Sequence, residues 1–357
     1  MPLVAHNALP TFERLRRDGQ NILESDRALQ QDIRELHIGL LNMMPDTALT
    51  ATERQFFRLI GQSNQIAQFY VHPFSLDGLQ RSPETMAYIK RYYESFNEIK
   101  TQGLDALIIT GANVAGADLS QEPFWQPLKE VVDWATTQVT STVCSCLATH
   151  AVMQFRYNQQ RRPLGFKRWG VYPHRVVARY HPLVSNVNTL FDVPHSRFNE
   201  ITRAQFEAVG CHVLAESAMA GVHLAVSDDG LRLIMLQGHP EYDTISLLKE
   251  YKREIRRFIS SDRDNYPPFP DHIFSVKIKA ILTEYRERVE YCLIHRQTPP
   301  EFPEARIAAG LDNTWQDTAE GVMDNWMGLI YRVTHSDRRI PFMDGVDPLN
   351  PLGLSFK

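Results

Sequence analysis

Four short strand-like runs, three of them mostly apolar, each separated from the next by a helix-length stretch, constrain this chain more than any other feature. They cover residues 36–44, 66–71, 104–110 and 139–144. A run that is apolar at nearly every position suits a strand buried on both faces, as in a parallel sheet. The stretches between them read as helices. After Pro45-Asp46, Thr50 and Glu53 have capping-box spacing, and Phe56, Leu59 and Ile60 share a face. Residues 84–100 are helical in pattern and rich in tyrosine. A helix over 122–136 puts Leu128, Val131 and Trp134 together, and one beginning after Cys146 carries Val152, Met153 and Phe155. This alternation predicts an α/β fold with a doubly wound, mostly parallel sheet.

The pattern changes twice further on. From residue 170 it becomes strand-rich, with candidates at 171–178, 213–215, 222–226 and 231–236. Ser227-Asp228-Asp229-Gly230 reads as a hairpin turn. A helix over 243–259 follows, with Asp243 as its expected N-cap. Beyond 260, two proline clusters at 267–270 and 299–303 bracket a helix over 273–296, and a last helix carries Trp326 and Met327. The expected organisation is an N-terminal extension (1–35), a main catalytic domain (36–260) and a helical C-terminal region (261–357) packed on it. The appendage is too short to bury a core of its own.

The 357 residues include 38 basic and 42 acidic ones, a net charge of −4, so nothing predicts a nucleic-acid partner. No apolar run is long enough to cross a bilayer, and the N-terminus lacks the build of a signal peptide. Four cysteines, Cys144, Cys146, Cys211 and Cys292, are too few for a disulfide scaffold. A reducing, cytoplasmic setting is therefore expected.

Cys146 falls where the fourth strand meets its helix. A sharp turn there lifts a side chain above the sheet edge and requires small residues two before and two after. Cys144 and Ala148 qualify. The helix N-terminus favours a thiolate, and free N–H groups such as that of Leu147 can hold an oxyanion. A small buried core residue would read the same way locally. For the Cys-x-Cys pair, no second pair at zinc spacing exists, so no metal is expected.

A thiol nucleophile needs a base, and the base needs an orienter. Gly238-His239-Pro240-Glu241 ends the 231–236 strand, on the edge where open α/β sheets bind ligands. Glu241 can accept from one ring nitrogen of His239 and leave the other for Cys146. A turn histidine beside a solvated glutamate is the plain alternative. His150, four residues after Cys146, reads as a packed histidine; His174, His195 and His223 read as locally satisfied, with His195 able to line a pocket. Gly111-Ala112-Asn113 ends the third strand, and its N–H groups can complete an oxyanion hole. By pattern alone, Lys167 is a loop lysine and Arg253 a solvated helix charge.

Three segments resemble one family. They are Thr140–Ala148, Pro194-His195-Ser196-Arg197 and Gly238-His239-Pro240-Glu241-Tyr242-Asp243. They are similar to the homoserine O-acyltransferases, specifically the homoserine O-succinyltransferase group, whose fold is that of class I glutamine amidotransferases. Leu41-Asn42-Met43-Met44-Pro45 and Asp324-Asn325-Trp326 fit as well. The resemblance runs over 36–260 and resumes near 312, with 272–310 looking like an insertion. It implies a ping-pong transfer in which Cys146 takes the acyl group, His239 acts as base and Glu241 orients it. It implies substrate contacts from Lys167, Ser196 and Arg253, with Arg253 on the amino-acid carboxylate. It implies L-homoserine and an acyl-CoA as co-substrates, no further cofactor, a homodimer, and a place in methionine synthesis. Ala115 matches the position tied to acyl-CoA choice, where succinyl-CoA users resemble a glycine and acetyl-CoA users a glutamate. Ala115 is small and uncharged, which favours succinyl-CoA, with acetyl-CoA as the alternative donor. A glutamine amidotransferase-type hydrolase is the more distant alternative. Two departures stand out: Asn113 replaces a proline, and Asp46-Thr47 stands where many members carry lysines.

Overall fold

Leu36, Ile38 and Leu40 point to one face of their strand and Leu41 to the other, because side chains alternate along an extended backbone. Both faces are apolar here, so both must be covered. In the computed structural model, which describes residues 3–63, 67–112, 114, 116 and 118–355, helices cover both.

The elements follow in chain order. The extension holds β1 (Val4–Ala5), α1 (Pro10–Arg17), β2 (Leu23–Glu24) and α2 (Ser25–Ala28). Then come β3 (Glu35–Leu41), α3 (Asp46–Gly61), β4 (Gln68–Phe74), α4 (Pro83–Tyr92), α5 (Phe96–Gln102), β5 (Ala106–Ile109), α6 (Trp125–Gln138), β6 (Ser141–Ser145) and α7 (Leu147–Tyr157). The strand-rich part has β7 (Arg162–Val176), β8 (Leu190–Glu200), α8 (Arg203–Glu207), β9 (His212–Ser217), β10 (Gly221–Val226) and β11 (Leu233–Leu236). Four helices close the chain: α9 (Ser246–Ile259), α10 (Val276–Ile294), α11 (Glu304–Ala308) and α12 (Gln316–Val333).

The main sheet has nine strands in the order β4-β3-β5-β6-β11-β10-β9-β7-β8. The first five are parallel. Counted by appearance they run 2-1-3-4-5, the flavodoxin-like order of doubly wound folds. The other four add on antiparallel. On one face, α1, α3 and α12 pack over Ile38, Ile108, Val143 and Ile234; on the other, α5, α6 and α7 pack over Leu107, Ile109, Cys144 and Met235. A third apolar cluster joins Leu248, Tyr251 and Ile255 of α9 to Ile278, Leu282 and Val289 of α10, so the 272–310 stretch packs on α9 within the same chain.

Local expectations fail at identifiable places. The helix after Pro45 begins at Asp46, which puts Thr50 and Glu53 in its interior. Glu53 is fully buried and accepts from Thr11, Tyr88 and Tyr93 instead of capping. The 84–100 helix is broken into α4 and α5, and the real capping box joins Ser95 to Glu98. Asp243 does not cap α9, whose N-cap is Ile245. Its carboxylate is held by Arg54 and Arg58, and Arg58 also donates to the Glu241 carbonyl at 3.2 Å. The Ser227–Gly230 turn, by contrast, is where it is expected: β10 and β11 pair antiparallel, and Gly230, at φ +80°, donates to Ser227 O at 2.8 Å in the connection between them.

Candidate active site

The C-terminal ends of β6 and β11 lie side by side, with Leu236 opposite Ser145. That register brings the chain after each strand to one place. Cys146 follows β6 directly and has φ 51° and ψ −105°. A non-glycine residue in that region is strained, which is the backbone signature of a nucleophile elbow. Three hydrogen bonds pin the turn. The Cys146 N–H donates to Leu236 O at 2.7 Å, and the Thr149 hydroxyl donates to Cys144 O at 2.7 Å and Leu236 O at 3.0 Å. Cys144 packs into the core, where burial pushes its thiol up to about 12. Of the pair, only Cys146 has solvent access.

His239 comes from the loop after β11, and its N–H is anchored on Pro194 O at 2.8 Å. Its Nδ1 donates to Glu241 Oε1 at 2.9 Å, and the ring also shares a hydrogen bond with Cys146. Burial by itself would drive the imidazole toward its neutral form. The charges of Cys146 and Glu241 on either side outweigh that and hold its pKa well above the ordinary value. The three expected residues are thus one connected unit. The arrangement can deprotonate a nucleophile at Cys146 and hand the proton on.

Gly111 lies against the elbow: a methyl group added to it would touch Cys146 Cβ at 3.6 Å and Met44 Sδ at 3.8 Å. The Leu147 N–H belongs to the first turn of α7, where helix N–H groups lack intrahelical acceptors. Ala112 is half-buried beside Gly111. Ala115 and Asn113 fall outside the described residues.

Two of the three expected substrate residues meet on a group that sequence reading passed over. Lys167 pairs with Glu250 Oε2 at 3.0 Å, and the Ser196 hydroxyl donates to the same oxygen at 2.7 Å. The Tyr242 hydroxyl donates to Glu250 Oε1 at 2.8 Å, while its ring stacks on His239 with centroids 4.4 Å apart. Burial alone would push Glu250 up, but the Lys167 ammonium and the two hydroxyls hold its carboxyl below the usual range. Arg253 stays apart. Its side chain is 50% exposed and its ion pair is with Glu254 at 3.6 Å. It sits three residues beyond Glu250, so α9 presents both on neighbouring positions.

Other groups complete the surroundings. Buried Arg161 and Arg197 are both close enough to Cys146 to feel its charge. His150 is buried under the elbow and bonded to Gln237 Oε1 at 3.1 Å, the packed histidine expected of it; burial drives it down to about 3. His195 lines no open pocket. It is fully buried and faces His174, Nε2 to Nε2, at 3.2 Å. At 46–47, Asp46 is paired with Arg81 at 3.5 Å and accepts from Ser82 N. The Arg81 guanidinium in turn donates to the carbonyls of Met44 and Asn42, which tightens the loop beside Gly111.

Comparison with known proteins gives the family. A family model described as homoserine O-succinyltransferase matches residues 2–336. A protein named homoserine O-succinyltransferase from Allochromatium vinosum is 69% identical over 99% of both chains. One of the same name from Nitrosococcus oceani is 64% identical over the same shares. Among solved structures, a glutamine amidotransferase from Methylobacillus flagellatus covers 83% of this chain and 95% of its own, at 12% identity and a TM-score of 0.43. That likeness is too distant to add to the assignment. No helix among the described residues is long and apolar enough to cross a membrane. The elbow, the match over nearly the whole chain and the identity to these relatives lead to one conclusion: the chain belongs to the homoserine O-succinyltransferase family and is an acyltransferase.

Proposed function

We propose that the protein moves a succinyl group from succinyl-CoA to the hydroxyl of L-homoserine through a thioester on Cys146, as a step of methionine synthesis. The observation that carries this reading is the connected unit at the sheet edge. A strained Cys146 shares a hydrogen bond with an imidazole whose other nitrogen is held by Glu241 at 2.9 Å.

The steps balance with these residues alone. Cys146 Sγ attacks the thioester carbonyl, the bond to the CoA sulfur breaks, and His239 supplies the proton that CoA leaves with. N–H groups of Gly111, Ala112 and Leu147 stabilise the oxyanion. The homoserine hydroxyl then gives its proton to His239 and attacks the acyl carbonyl. The bond to Cys146 breaks and the ester departs. Glu250 and Ser196 form a polar wall beside His239 suited to the substrate ammonium. Arg253, exposed and nearby on α9, suits its carboxylate. The small, uncharged Ala115 leaves the succinyl carboxylate unopposed.

Intact-mass spectrometry after mixing with each acyl-CoA tests nucleophile and donor together. The expected result is a succinyl adduct on Cys146 that homoserine discharges, and loss of at least about 10⁴-fold in transfer for Cys146→Ala. A preferred acetyl adduct would replace the donor. Full transfer by Cys146→Ala would overturn the thioester.

A further inference from the structure

Away from the elbow, at the outer edge of the sheet, a second cluster of ionisable side chains is drawn from four separate stretches of chain. His6 follows β1, whose neighbour Leu3 bridges to Phe69 on the edge strand β4. His72 is in β4, and Glu94 lies in the break between α4 and α5, where its N–H donates to Pro73 O at 2.9 Å. One ligand atom from each of His6, His72 and Glu94 lies within 4.8 Å of the other two. His72 is buried, and its ring lies 4.9 Å from that of His6.

The hydrogen bonds behind the three atoms are ordered. His72 Nδ1 faces Glu94 Oε1 at 2.6 Å, and its Nε2 faces His37 Nδ1 at 2.8 Å. His37 Nε2 faces Glu35 Oε2 at 3.3 Å. One proton arrangement satisfies the whole chain: His72 Nε2–H donates to His37 Nδ1, and His37 Nε2–H donates to Glu35. His72 Nδ1 then points at Glu94 either with a proton or with something in its place. Metal-bound histidines have this outer arrangement, in which the distal ring nitrogen donates into a chain that ends on a carboxylate. Burial, with the Arg338 guanidinium nearby, opposes positive charge on His37, and both of its ring nitrogens already face hydrogen-bond partners, so the ring is a link and not a ligand.

We propose that His6, His72 Nδ1 and Glu94 bind a divalent transition cation, with zinc the best match to two imidazoles and one carboxylate. Binding releases to solvent the proton that His72 Nδ1 otherwise shares with Glu94, and water completes the coordination. Ligand atoms around tetrahedral zinc stand about 3.4 Å apart, so separations of up to 4.8 Å must close by as much as about 1.4 Å and the 2.6 Å His72–Glu94 pair must open by about 0.8 Å. His6, on a half-buried terminal segment, is the member free to move. The ion clamps that segment onto the sheet edge, adding to a two-residue strand, one bridge and the buried Leu3 and Val4 side chains. No spacing rule reveals such a site, because its ligands are 66 and 22 residues apart.

The test uses untagged, full-length Cys146→Ser protein, since Cys146 and His239 could themselves take a thiophilic ion. After chelation and dialysis against zinc, one zinc per chain is expected, with a rise in Tm of several degrees that EDTA reverses. His6→Ala and, independently, Glu94→Gln should each reduce bound zinc to near zero. His295→Ala, on α10, should keep it. Absence of zinc from the parent, or full retention in folded His6→Ala or Glu94→Gln protein, overturns the site.

Discussion

Two groups of histidines lie back to back at the end of β11, equally buried and oppositely charged in tendency. His239 is held well above its ordinary pKa. His174 is pushed down to about 4, and His195 and His223 fall well below the ordinary value. Burial lowers all four. The difference lies in the partners. His239 has Glu241 and Cys146 beside it. The triad has two positive charges near it, Arg197, whose Nε–H donates to His195 Nδ1 at 3.3 Å, and His239 itself. Its bonds form a neutral relay: Arg197 to His195, His195 Nε2–H to His174, and His174 Nδ1–H to Tyr172 O at 2.8 Å. Gly238 separates the groups. Any side chain there would strike Val193 at 2.4 Å and His195 at 3.0 Å, so the catalytic loop can close on the triad only with glycine. The two anionic partners, Cys146 and Glu241, and not the depth of burial, set this one imidazole apart from the other three.

Removing that carboxylate is the sharpest way to break the contrast. In Glu241→Gln, His239 keeps Cys146 but loses one of its two flanking anions, so its pKa should fall. Transfer activity should fall about 10²- to 10⁴-fold, with the ring's NMR titration moving to lower pH. Unchanged kcat in this variant would show that Glu241 does not tune the base.

Arg197→Met attacks the other side. It removes donors to Asn199 O at 2.8 Å and Ala220 O at 2.5 Å, both in the interior. Ala220 O keeps Arg168 Nη1 at 3.2 Å, so one buried carbonyl loses its donor, and at about 1–3 kcal/mol for that group urea unfolding should show a loss of about 2 kcal/mol. A change below about 0.5 kcal/mol would mean that water replaces the guanidinium.

Half of this contrast was legible in the sequence. The parallel strands read clearly because burial on both faces leaves few charged positions. Cys146, His239 and Glu241 read clearly because an elbow and a strand-end loop are local features, and the parallel register brings such loops together. The triad and Glu250 did not read. β8 alternates and contains Pro194, so its 11 residues look like loop, and β7 is interrupted by a register shift between Pro163 and Arg168. Without those strands, His174 and His195 cannot be seen to face each other. Glu250 looks like one more helix charge because its partners, Lys167 and Ser196, come from those same two strands. The Thr50–Glu53 misreading has the same origin, since the residues that bury Glu53 are distant in sequence.

The smallest predicted effect separates the two groups by sign. A histidine whose folded pKa is lowered contributes stability above the unfolded value of about 6.5, and loses it as pH falls through the folded value. For His174 that window runs from about 6.5 down to about 4. At about 1.4 kcal/mol per unit, its share of the acid loss is at most about 3 kcal/mol, and relaxation of the buried site reduces it. His239 has the opposite slope: its stabilisation is complete below about 6.5 and is lost as pH rises through its raised folded value. Urea denaturation of the wild type and of His174→Gln between pH 4 and 8 checks this. The variant should cost most near pH 7, and the two curves should converge as pH falls. Curves that stay parallel throughout would mean that His174 titrates normally, and that burial near Arg197 does not keep this ring neutral.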